Sequence, residues 1–187
     1  MADFPWDQVV KDLSVFEGRF SYMYLDTVGC VTVGVGKMLP DAAAARKLPF
    51  VDRVTGSAAT ADDIANDFAS VKKQTAGLLA SKYKPFTKID LPDTEIDKLL
   101  LAEAEDFDGQ VRRNFSGYDD YPVDARRVIL DMAFNLGMGG LLKFKKFKAA
   151  AEAHDWATAA AECKRGGIQQ SRNDWAKNLL LEVAQAG

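Results

Sequence analysis

Histidine is nearly missing from this 187-residue chain and cysteine is scarce: there is one His, His154, and there are two Cys, Cys30 and Cys163. Two distant cysteines cannot build a disulfide scaffold. With a single histidine they cannot complete a usual zinc site either, so no metal or other cofactor is expected. No apolar run approaches the roughly 18 residues of a membrane span, so no stable membrane insertion is expected. The opening stretch MADFPWD is acidic and has no apolar core, so no classical secretory signal is expected. A strong excess of positive charge is also lacking. The 24 Lys/Arg against 27 Asp/Glu leave a net −3, which argues against a nucleic-acid partner. Gly34-Val35-Gly36-Lys37 invites a phosphate-loop reading, but Val31 stands where the first glycine should be and Met38 where Ser or Thr is required.

What remains is ordinary globular composition, 48% apolar and 27% charged, with no internal repeat. The charge is uneven. Residues 1–109 carry 12 basic and 18 acidic side chains, a balance of −6, and residues 110–187 carry 12 and 9, a balance of +3. Trp6, Val9, Val10, Leu13 and Phe16 recur at helical spacing, with Asp3 and Pro5 at the start and Gly18 as the stop. The period then changes to two. Phe20 to Tyr24 and Val31, Val33, Val35 read as strands around Asp26-Thr27-Val28-Gly29, a type I turn by its Asp and Gly positions, so residues 19–37 predict a β-hairpin. Residues 38–59 read as a loop, with a helical turn possible near 41–47, and are expected to be a dispensable insertion that borders a cleft or binds a partner. Helices are expected from Thr60 to about Lys82, with Asp63 completing a capping box, and over about 93–115, 122–137, 140–153, 155–165 and 171–185. The fold class is α+β: a single domain over 1–187, with a small N-terminal lobe (about 1–92) joined by a long helix to a larger helical lobe (about 93–187).

Glu17 is the most informative residue. On the first helix it falls in line with Val10 and Leu13, on the apolar side, and near the C-terminal end where the helix dipole disfavours an anion. Both effects favour the protonated carboxyl that a general acid needs. A half-exposed glutamate at a frayed helix end satisfies the same pattern. Asp26 at the turn and Thr32 on the strand face shared with Gly34, Gly36 and Cys30 can hold one water between them, while Asp also starts turns and Thr also suits strands.

Taken together, Glu17-x8-Asp26-x5-Thr32 followed by Val33-Gly34-Val35-Gly36 resembles the active-site signature of phage-type lysozymes, the T-even-phage-like glycoside hydrolase family that includes pesticin-like muramidases. The resemblance continues in order through Asp124-Ala125-Arg126-Arg127, Met132 to Gly137, Phe144, and Trp156 with Ala159-Ala160. It implies a lysozyme-like fold and a peptidoglycan muramidase that cuts the β-1,4 bond between N-acetylmuramic acid and N-acetylglucosamine. Glu17 would protonate the glycosidic oxygen. Asp26 and Thr32 would organise the attacking water, with inversion and about 6.5–9.5 Å between the carboxyls. Lys37 stands where phage members often carry histidine and would still place positive charge near Asp26. Asn135 stands in place of a glutamine, and Gln170 and Arg172, with Gln169 beside them, are candidate substrate contacts.

The implied partner is peptidoglycan, with an immunity or inhibitor protein possible. A monomer is expected, made in the cytoplasm and acting in the periplasm or on the wall, as an endolysin or as a secreted antibacterial effector. A lytic transglycosylase and a non-catalytic wall-binding module are the competing readings. The lysines at 143, 145, 146 and 148, interleaved with Phe144 and Phe147, read as a solvated face over two core aromatics.

Overall fold

The computed structural model describes residues 4–186, so Asp3 and the extreme N-terminal residues lie outside the described residues. The fold is mixed α+β, with a small antiparallel sheet and a larger helical part. The chain forms two compact units: Glu17–Leu100, and Met1–Phe16 together with Leu101–Gly187.

The first unit is built on a three-stranded antiparallel sheet, β1 (Phe20–Leu25), β2 (Val31–Gly34) and β3 (Lys37–Leu39), in that order. The predicted hairpin is therefore present and gains a third strand. Its turn closes through the Gly29 amide donating to the Asp26 carbonyl at 3.1 Å, and the Asp26 amide donates to the Cys30 carbonyl at 3.0 Å. Gly29 sits at φ +81°, a left-handed conformation that glycine reaches without steric cost. The second turn needs Gly34 for two reasons: its φ is +68°, and a Cβ there would come within 3.3 Å of the Ile96 side chain.

Residues 38–59 are not a dispensable loop. They contain the end of β3, a short helix α2 (Ala42–Ala45) capped by Asp41, and β4 (Val51–Asp52), which pairs with β5 (Ile89–Asp90). Leu39, Ala45 and Phe50 are fully buried. The Arg53 guanidinium grips the Asp90 carboxylate through Nε at 2.8 Å and donates to the Thr87 carbonyl at 2.7 Å. The segment is core and fastening.

Helix α3 (Ala61–Lys72) opens on the expected capping box. The Asp63 amide donates to Thr60 Oγ1 at 3.1 Å and the Thr60 amide donates back to Asp63 Oδ2 at 3.0 Å. It ends ten residues earlier than its predicted end at Lys82. Val71 is its last buried position, while Leu78 and Leu79 beyond it are exposed, so the apolar run offers no continuous face for a longer helix to bury. Asp67 on α3 is buried, and its Oδ2 accepts the Lys88 and Ile89 amides at 2.6 and 3.0 Å, fixing the entry to β5.

The long helix α4 (Asp93–Asn114) crosses from one unit into the other at Leu100/Leu101, eight residues beyond the expected boundary at 92/93. The second unit holds its C-terminal half with α1 (Trp6–Phe16), α5 (Val123–Leu141), α6 (Lys145–Glu152), α7 (Trp156–Glu162) and α8 (Gln170–Ala186). Helix α1 was expected in the N-terminal lobe and instead belongs here. Asp12 Oδ2 accepts from Arg127 Nη2 at 2.6 Å, Phe16 packs against Trp175, and Val9 and Leu13 are buried. Helix α5 breaks at Gly137 (φ 66°, ψ 161°), which is the stop expected there. Val128, Ile129, Met132, Ala133, Phe147 and Trp156 anchor the core of this unit. Phe147 is buried, Phe144 half-buried, and Lys143, Lys145 and Lys146 are exposed as a solvated face requires, whereas Lys148 is half-buried and paired with Glu152. His154 is exposed at the α6–α7 junction, its ring edge-on to Tyr121 and Trp156.

Candidate active site

Glu17, Asp26 and Thr32 all fall in the first unit. Glu17 is the residue after the last of α1 and is half-buried. Asp26 closes the β1–β2 turn. Its Oδ1 accepts the Val28 amide at 3.0 Å and the Cys30 amide at 2.8 Å, while Oδ2 takes part in neither bond. The carboxylate thus caps the turn with one oxygen and has the other for different work.

Thr32 is 2% exposed, and its hydroxyl donates to the Cys30 carbonyl at 3.1 Å. With its proton used there, Oγ1 is left as an acceptor. Cys30 therefore links the two residues through its backbone. Its amide goes to Asp26 Oδ1, and its carbonyl receives the Asp26 amide and the Thr32 hydroxyl. Its thiol is free and half-buried.

Tyr24 joins this group. It is the Cα partner of Thr32 across the β1–β2 ladder and lies two residues before Asp26, so strand geometry gives it their face of the hairpin. Burial pushes its phenol up to about 12, the charges of Asp26 and then Glu17 act in the same direction, and the Gly36 backbone amide opposes them. One side chain thus feels both carboxylates. In the sequence Tyr24 stands out only as part of an aromatic strand. The available signal was its even spacing from Asp26 and its register opposite Thr32.

Lys37 is exposed at the start of β3, paired with Val33. Arg19, two residues beyond Glu17, is committed to α4. It donates to Asp93 Oδ1 at 3.1 Å and Asp97 Oδ1 at 2.7 Å.

The expected substrate contacts Asn135, Gln170 and Arg172 belong to the second unit. Arg172 is 1% exposed. Its Nε and Nη2 lie 2.9 and 2.7 Å from Asp131 Oδ1, and its guanidinium lies over the Phe16 ring at 5.3 Å. Arg165, equally buried, takes the other Asp131 oxygen at 2.7 Å. The Arg172 guanidinium is thus enclosed and held in place by a buried carboxylate. Asn135 is half-buried, and its Oδ1 receives Arg165 Nη1 at 3.4 Å, which orients the amide. Gln170 is exposed on the first turn of α8 and donates to Asp174 at 2.7 Å. Gln169, also exposed, donates to the Phe16 carbonyl at 3.2 Å.

Among the described residues, no group of three His, Cys, Asp or Glu side chains is placed to hold a metal ion, and no helix is long and apolar enough to cross a membrane. No family model and no curated protein matches this chain.

Proposed function

We propose that the protein is a lysozyme-like peptidoglycan muramidase that hydrolyses the bond between N-acetylmuramic acid and N-acetylglucosamine with inversion. The observation that carries the reading is the double engagement of Asp26. One of its oxygens accepts two turn amides, and the other takes part in neither bond. A water donating one hydrogen to Asp26 Oδ2 and the other to Thr32 Oγ1 presents its lone pairs to an anomeric carbon, and Asp26 takes the proton as the water attacks. Glu17 donates a proton to the departing oxygen. The ordered spacing of the three residues and their membership in one compact unit support this assignment, as does the pairing of a small antiparallel sheet with a larger helical part.

The hydrolase reading is favoured over a lytic transglycosylase by the acceptor pair, which a reaction without an attacking water does not use. It is favoured over a wall-binding module by a carboxylate and a hydroxyl locked through one backbone residue. Glu17→Gln keeps the shape of the side chain and removes the proton. Turbidity clearance of permeabilised Gram-negative cells should fall at least about 100-fold, with circular dichroism unchanged. The wild type should release reducing ends, not anhydro-sugars. Near-normal clearance by purified Glu17→Gln would overturn the assignment.

A further inference from the structure

We propose that Tyr24 is a positioning residue of this site, its hydroxyl donating a hydrogen bond to the water held by Asp26 and Thr32. The inference rests on the muramidase reading and adds a third point of attachment for that water. Tyr24 and Thr32 are direct partners in the β1–β2 register, so their side chains stand together on one face of the sheet. The Asp26 amide continues the same ladder by donating to the Cys30 carbonyl, which brings Asp26 onto that face two residues from Tyr24. The Phe20 ring stands edge-on to the Tyr24 ring, with centroids 5.1 Å apart, and limits where the ring can turn.

A phenol hydroxyl donates one hydrogen bond and also accepts, so Tyr24 can give its proton to an acceptor on that face. Burial and the Asp26 charge keep that proton in place across the neutral range. Water has two hydrogens and two lone pairs. Asp26 Oδ2 and Thr32 Oγ1 are both acceptors and take the two hydrogens. A donor is the missing partner. Tyr24 supplies it, occupies one lone pair, and leaves one for attack. Two acceptors alone let the water rock about the line between them, whereas three points fix where the remaining lone pair aims.

Tyr24→Phe removes the hydroxyl and keeps the ring. In an assay of soluble peptidoglycan fragments, kcat should fall roughly tenfold while KM stays within about twofold, because the lost bond touches water and not sugar. A second measurement needs no turnover. With tyrosine 13Cζ-labelled, the Tyr24 resonance is followed against pH in the wild type, Asp26→Asn and Glu17→Gln. Each variant removes a negative charge near the phenol, so its midpoint should fall below the wild-type midpoint, and further in Asp26→Asn. Wild-type kcat in Tyr24→Phe would overturn the positioning role. An unchanged midpoint in both charge variants would overturn the placement, even if Tyr24→Phe folded poorly. A wild type that releases no reducing ends, with the midpoints still shifting as expected, would remove the muramidase reading and the role with it while leaving the placement intact.

Discussion

At the residue scale, Asp26 separates the two jobs that a turn carboxylate can hold. Asp26→Asn keeps an oxygen to accept the Val28 and Cys30 amides, so the turn should persist while the base is lost. Clearance of permeabilised cells should fall at least about 100-fold with little change in Tm. Asp26→Ala loses both functions and should also lower stability by about 1 kcal/mol, the usual cost of a lost cap. Equal Tm values for the two variants would mean that the turn bonds contribute nothing. Asp67 illustrates the opposite balance. Burial raises its carboxyl above the ordinary value, and the two amides it accepts, with the Arg53 and Lys88 charges, only partly offset this. Its folded form therefore holds a proton more tightly than its unfolded form. The stability this contributes is full below the unfolded value near 3.8 and is lost as pH rises through the folded value. Asp67→Asn keeps an acceptor oxygen and cannot ionise. Relative to the wild type, it should gain stability as pH is raised from 4 to 7 in urea titrations. A constant difference between the two across that range would contradict the burial argument.

At the element scale, the informative contrast lies between the hairpin and the segment that follows it. The hairpin was legible because its determinants are local: Asp26 and Gly29 are three residues apart, and the strand period changes within a few positions. The α3 capping box was legible for the same reason. Residues 38–59 were misread because their determinants are distant and sparse. Only Leu39, Ala45 and Phe50 are fully buried apolar positions, with no shared period, and Arg53 finds Asp90 at a separation of 37 residues. The Asp131–Arg165–Arg172 cluster is invisible in the sequence on the same grounds, its arginines lying 34 and 41 residues from Asp131. Phe50 tests the corrected reading. As a fully buried aromatic it should cost about 3–5 kcal/mol when replaced by alanine, and excision of the segment should abolish folding of the first unit. An effect below about 1 kcal/mol in urea denaturation would restore the view of this segment as a surface insertion.

At the scale of the whole molecule, the chain contributes to the helical unit twice, through α1 at its beginning and through everything after Leu100, while the unit that carries Glu17, Asp26 and Thr32 is one continuous stretch. Sequence order therefore misleads about membership. Helix α1 immediately precedes Glu17, yet its Asp12–Arg127 pair and its Phe16–Trp175 contact lie within the helical unit. Leu13→Ala leaves a cavity in that unit and should cost about 2–5 kcal/mol. The cost should be local in native-state hydrogen exchange. Amides of α5 and α8 should lose protection by the corresponding factor, while those of β1, β2 and α3 keep theirs until global unfolding. If the sheet amides lost protection first, α1 would be acting as a support of the hairpin, and the N-terminal helix would have to be counted with the unit that follows it in sequence.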